Sequence, residues 1–148
     1  MAERTYPDPR VTRFISERFV PVQFNVVENP GAQLRFRSFW TPCIMLQDVE
    51  GNEHRRSYGS LLPEQFLAEL SLAHGLRFLH TGHFAKALEL LEAATEFTAP
   101  NAFRHAENMY WLAVARYRVS GNAHDLDIGW DELIERYPDS DWTIRADL

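Results

Sequence analysis

Two hydrophobic rhythms divide this chain. Up to about residue 71, apolar positions come in short clusters separated by proline, glycine and polar turns. Beyond it they recur at helical spacing almost to the end. In the first part Asp8 caps a helix with Pro9 at its first position, and Val11, Phe14 and Ile15 share one face, which predicts an amphipathic helix over 9–18. Residues 19–26 are nearly continuous in apolar character and rich in β-formers, which predicts a strand buried on both faces. Asn29-Pro30 opens a short helix carrying Leu34 and Phe36. Strands are expected at 43–48 and 53–58, joined by the turn at Glu50-Gly51-Asn52. The second is polar (Glu53, His54, Arg55, Arg56), as suits a solvated edge. Pro63 then starts a helix bearing Phe66, Leu67 and Leu70.

In the second part, sliding the chain by 39 residues brings Phe78 onto Tyr117, Gly82 onto Gly121, Ala87 onto Leu126, Leu91 onto Trp130 and Ala94 onto Leu133. Pro100 and Pro138 close the two units, one residue out of register. Helices are predicted over 63–80, 83–97, 103–119 and 124–136, with a short last one from Asp141 that buries Trp142 and Ile144. Small residues let antiparallel helices approach, and aromatics fill the space between pairs. The small-large spacing of Gly75, Phe78, Ala87, Leu91 and Ala94, and of Val114, Tyr117, Leu126, Trp130, Leu133 and Pro138, resembles tetratricopeptide repeats. Two such units need a cap or a further unit to bury their faces. The helix over 63–80 has no strong breaker apart from Gly75, so it can end the first part and begin the second. The expected organisation is a unit over 1–71 and a helical unit over 72–148 sharing that helix.

Composition narrows the function classes. The net charge is −6 and the basic residues are scattered, which argues against a nucleic-acid face. No apolar run approaches a membrane span, and Met1 to Tyr6 lacks a hydrophobic signal region, so the expected location is cytoplasmic. Cys43 is the single cysteine, so neither an intrachain disulfide nor a Cys-x-x-Cys pair exists within these 148 residues. No cofactor or metal site is assigned.

The order of Thr5-Tyr6, Asp8, Pro9 and Val11, then Phe19-Val20-Pro21-Val22, then Thr41-Pro42, Asp48 to Gly51, Gly59 and Pro63-Glu64 with Phe66 resembles the thioredoxin-like superfamily over about residues 5–70. The resemblance implies an α+β (α/β) fold with an incomplete sheet of about three strands. It lacks the family's first strand and the Cys-x-x-Cys motif, and losing that central strand would orphan neighbouring backbone groups at roughly 1–3 kcal/mol each. It also implies a cis bond at Thr41-Pro42 facing a redox site, and a thiol–disulfide oxidoreductase as the parent activity. Met1 falls where the family's Cys-x-x-Cys-Lys-x-Met ends, with Thr5-Tyr6 at the matching distance. The expectation is that the cysteine pair lies upstream of Met1 or has been lost, and that the chain as given is inactive. A stop codon close before Met1, with no cysteine pair between, would rule out the upstream pair.

Several side chains carry alternatives. Trp40, Thr41 and Pro42 form either a loop offering backbone groups to an extended peptide, as the resemblance implies, or a structural turn. Cys43 is either a small apolar strand residue or a reactive thiol, and no lysine or helix N-terminus nearby stabilises a thiolate. His80 and His83 flank the Thr81-Gly82 turn, with His74 close by, and read as solvated. Asp125 and Asp127 suit a helix start. Trp111 and Tyr117 read as core, and Tyr110 as open to a partner groove. No Ser-His-Asp set, phosphate loop or paired-carboxylate signature stands out. The alternative to the oxidoreductase reading is a non-catalytic interaction module using that groove. Either reading calls for a protein or peptide partner, and open sheet edges allow a homodimer.

Overall fold

The helix that both rhythms share organises the molecule. In the computed structural model, which describes residues 1–146, it runs unbroken from Pro63 to His80. It is α3 in the order α1 (Pro9–Arg18), α2 (Pro30–Arg35), β1 (Cys43–Gln47), β2 (Glu53–Tyr58), α3, α4 (Phe84–Thr98), α5 (Ala102–Ser120), α6 (Ala123–Arg136) and α7 (Asp141–Ala146). The fold is mixed α+β and mostly helical, with one two-stranded antiparallel sheet among the described residues. The N-terminal half of α3 packs Phe66, Leu67 and Leu70 against Val11 and Phe14 of α1. Its C-terminal half packs Leu72, Leu76 and Leu79 against Ala87 and Leu91 of α4 and Ala115 of α5. One helix therefore supplies two cores, which explains why it is buried nearly all round instead of along one stripe.

Local chemistry sets the helix ends as expected. The Asp8 carboxylate accepts from the Arg10 N–H at 2.9 Å, and Pro9 occupies the first position of α1. At the start of α3 the Gln65 side chain accepts from the Leu62 N–H at 3.0 Å. α6 is capped by Asn122, which accepts from the His124 N–H at 3.1 Å. Asp125 lies in its first turn, favouring the dipole without being the cap. Gly82 and Gly121, the two glycines aligned by the repeat, follow α3 and α5 with φ of 79° and 70°, a region that disfavours residues with a Cβ.

Two close approaches hold the helix pairs. A Cβ on Gly75 of α3 would lie 2.6 Å from Leu91 of α4. A Cβ on Gly129 of α6 would lie 2.5 Å from the Ala113 Cβ of α5. Between α4 and α5, the buried Asn108 amide donates to the Leu91 carbonyl at 3.0 Å and to Thr95 Oγ1 at 3.2 Å. Leu133, Ala106 and Ala146 form a third small core. In α7 Trp142 packs inward as expected, but Ile144 is exposed and Thr143 and Ala146 are buried in its place. Six residues make under two turns, so few positions can face inward.

The expected strand over 19–26 does not form. Residues 19–25 take no regular structure and residues 26–28 turn, with the Asn29 N–H donating to the Asn25 carbonyl at 2.8 Å. A strand is defined by its partner, and β1 pairs only with β2 among the described residues. Val20 and Val22 accordingly stand 90% and 71% exposed.

Candidate functional site

The hairpin β1–β2 meets the rest of the molecule on one side and solvent on the other. The Thr41-Pro42 peptide bond that leads into β1 is cis. The Pro42 carbonyl accepts from the Gly59 N–H at 2.9 Å, which closes the open end of the hairpin. Among the described residues, nothing pairs with the outer edge of β1. Beside that edge Phe39 and Trp40 are 76% and 64% exposed. Ser38 donates to the Trp40 carbonyl at 3.1 Å, and the Phe39 and Tyr58 rings lie 4.4 Å apart. The loop is thus anchored from within while its aromatic side chains stay in water. Phe24 and Phe36, their rings 5.3 Å apart and tilted by 35°, line a shallow depression of about 250 Å³ together with Ala32 and Arg35.

Cys43 is half-buried and faces Tyr58 across the hairpin. The sequence offers no lysine beside it, but the fold brings Arg56 Nη1 to 3.9 Å from its sulfur. That guanidinium is already committed. It donates to the Phe36 and Arg37 carbonyls at 2.8 and 3.0 Å and to the Tyr58 hydroxyl at 3.1 Å, and it pairs with Glu53. Arg56 therefore staples the loop over 36–40 to the hairpin.

The expectation that β2 is a solvated polar edge is corrected by Arg55. Its Nε donates to Glu69 Oε1 of α3 at 2.6 Å, and its Nη1 to Glu107 Oε1 of α5 at 2.7 Å. Arg104 completes the square, reaching Glu69 at 2.6 Å and Glu107 at 2.9 Å. Both glutamates are buried. Burial pulls the Arg55 guanidinium toward losing its proton, but hydrogen bonds to Glu107 and Glu69 outweigh that and hold it above its ordinary value. The quartet is neutral and fully cross-bonded, the condition under which buried charge is tolerated. It fastens the hairpin to the helices.

At the far end of the hairpin, Asp48 accepts from the backbone N–H groups of Asn52 and Glu50 at 2.8 and 3.1 Å, and from the Asn52 amide at 3.0 Å. The Asn52 side chain first, against the cost of burial and aided by His54, holds this carboxyl well below the usual range. Asp48 Oδ2 lies 3.0 Å from His54 Nε2, and His54 Nδ1 lies 3.3 Å from Nδ1 of His80 at the end of α3. His83 turns away to Thr81 Oγ1 at 3.0 Å, and His74 packs on Phe19. The three sequence-adjacent histidines do not converge, whereas His54, 26 residues from His80, does meet it.

Tyr110 is half-buried. Its ring stacks on Trp130 at 5.1 Å and also meets Trp111 and Trp142. It belongs to an aromatic cluster between α5, α6 and α7. Trp111 is half-buried as well, while Tyr117, expected in the core, is exposed. The Trp111 and Trp130 indole N–H groups are buried without an acceptor among the described residues. Among the described residues, no helix is long and apolar enough to cross a membrane.

No protein-family model, curated protein or solved structure matches this chain. The functional reading therefore rests on the geometry above. Sequence reasoning named Trp40, Thr41, Pro42, Cys43 and Tyr110. It missed the Arg55–Glu69–Arg104–Glu107 quartet and the Asp48–His54–His80 chain. The one local signal for the first was Glu69, a carboxylate set between Phe66, Leu67, Ala68 and Leu70 in α3.

Proposed function

We propose that residues 1–71 carry the substrate-facing half of a thioredoxin-like thiol–disulfide oxidoreductase site, and that residues 72–148 are a TPR-like extension that engages a protein or peptide partner. The observation that carries this reading is the open outer edge of β1 beside the exposed Phe39 and Trp40. An extended segment laid along that edge would gain main-chain hydrogen bonds, with the aromatics covering its side chains. Disulfide exchange itself needs an attacking thiolate and a resolving thiol. With Cys43 alone, residues 1–148 lack that pair, and the reading makes this chain inactive as a reductase.

A disulfide-reduction assay on the 148-residue protein, using insulin and a dithiol reporter, tests the inactive reading. The expected rate equals the buffer control. A rate above control that Cys43→Ser abolishes would instead make Cys43 a single-cysteine nucleophile. A backbone NMR titration with an extended, disulfide-containing peptide tests the half-site. Shifts are expected at residues 39–47, and Trp40→Ala should reduce them. No shift at those residues would overturn it.

A second reading, a non-catalytic interaction module, draws on the close helix approaches at Gly75 and Gly129, which suit stacked antiparallel pairs. Shifts confined to α5 and α6 around Tyr110 in the same titration would favour it.

A further inference from the structure

We propose that His54 and His80 form a zinc-class metal site, with both Nδ1 atoms as ligands and Asp48 as the outer partner of His54. The inference is independent of the oxidoreductase reading and rests on three geometric facts. First, the two Nδ1 atoms are 3.3 Å apart. Two ligands of a tetrahedral ion with metal–nitrogen bonds of about 2.05 Å stand about 3.3 Å apart, so the pair already has the spacing of a tetrahedral edge.

Second, the tautomer of His54 is set. Asp48 is a carboxylate, and a carboxylate only accepts. The contact of 3.0 Å to His54 Nε2 therefore places a proton on Nε2, so that in the neutral ring the lone pair is on Nδ1, facing His80. Asp48 cannot swing away easily, because Asn52 and the Glu50 N–H hold both its oxygens. A carboxylate behind the remote nitrogen of a metal-binding imidazole fixes its tautomer and orientation and makes the ligating nitrogen more basic.

Third, the pair is built from rigid parts and reachable from solvent. His54 stands on β2 and His80 closes α3, while the side chains of Asp48 and His54 are 4% and 6% exposed. His80 is exposed, so an ion and its waters can enter from that side. No cluster of three or more metal-ligating side chains exists among the described residues. Two coordination positions thus fall to water, which marks an open, exchangeable site and not a closed structural one. Without metal, one proton lies between the two Nδ1 atoms, on His80. A bound ion takes that position and the proton moves to His80 Nε2, so coordination needs both rings neutral and weakens as pH falls. Arg55, next to His54 on β2, donates to Glu69 and Glu107 and not to the pair.

Titration calorimetry with zinc chloride at pH 7.5, repeated in buffers of different ionisation enthalpy, tests this. The expected result is one tightest site per chain whose binding enthalpy depends little on the buffer, because no net proton leaves two neutral rings. His54→Ala and His80→Ala should each weaken it at least about tenfold, and Asp48→Asn by about 10- to 100-fold. His83→Ala should leave it unchanged. Long-range ¹H–¹⁵N spectra of the imidazoles should report coordination at Nδ1 of both rings. His80 is exposed, so its variant retains the fold, and a thermal melt verifies that. Absence of a one-equivalent site, or a site that survives both alanine variants, would overturn the proposal.

Discussion

The loop-and-hairpin region over 19–62 and the helical region over 63–146 use the same apolar residue types in opposite ways. In the helices, Leu72, Leu91 and Leu133 are fully buried, and glycine or alanine appears where two backbones must come close. Over 19–42, Val20, Val22, Phe24, Val27, Leu34, Phe39 and Trp40 lie largely in water. An apolar residue is buried by what stands opposite it, and the helical region brings its own opposite surfaces while the loop region does not. A lone two-stranded hairpin is marginal in water. Here it is held by polar devices instead: the Arg55 quartet on one face and the Arg56 staple on the other.

That contrast can be broken at its strongest point first. Glu69→Gln leaves the two half-buried arginines facing a single carboxylate, and unfolding in urea should show a loss of about 2–4 kcal/mol, somewhat under the cost of stranding a fully buried charge. Replacing Glu69, Glu107, Arg55 and Arg104 together by apolar residues should cost less than this single change, because no charge is then stranded. Leu91→Ala should cost about 2–5 kcal/mol by the same measurement. Next, Gly75→Ala drives a methyl group to 2.6 Å from Leu91, and overpacking of this kind costs about 1–3 kcal/mol. Arg77→Ala provides no such test, since nothing in the quartet depends on it.

The pH dependence sharpens the same comparison. Burial, then Arg18, Arg77 and Lys86, pushes the His74 imidazole down to about 4. Its folded value lies below the unfolded one of 6.5, so the unfolded chain binds the proton more readily between those values. The contribution is fully present above about pH 6.5 and is lost as pH falls toward about 4. Allowing for solvent screening at this half-buried site, it amounts to about 1–2 kcal/mol. His105, lowered by burial and then Arg136, acts in the same direction. In urea titrations from pH 7 to 4, His74→Leu should flatten part of this slope. The smallest effect belongs to the open segment: Val20→Ser and Val22→Ser should each change stability by less than about 0.5 kcal/mol.

The helical region was legible in the sequence because its determinants are local. Period, breaker and cap lie within a few residues of each other, and α3 to α6 begin and end within a residue of their expected limits. The strand at 19–26 was misread because periodicity reports the character of a segment and not whether a neighbour exists to pair with it. Cys43, Trp40 and Pro42 sit on the loop where the pattern put them, whereas the surroundings of Cys43 depend on Arg56 from across the hairpin. The quartet joins residues up to 52 apart, and His54 and His80 are 26 apart. Such pairs carry no spacing signal, since long-range register alone brings them together. Tyr110 shows the same limit from the other side. Its helix was legible, but α7 and its Trp142 decide how much of it faces solvent.

Hydrogen exchange tests the central claim most directly, namely that the outer edge of β1 and the extended segment before it lack a covering partner. At dilute protein concentration and neutral pH, amides of α3 and α4 should exchange slowest. Amides of residues 20–26, which make no backbone hydrogen bond as donors, should exchange close to the rate of unstructured chain. Protection of residues 20–26 comparable with that of α4 would contradict the account, because it would mean that this segment is paired after all.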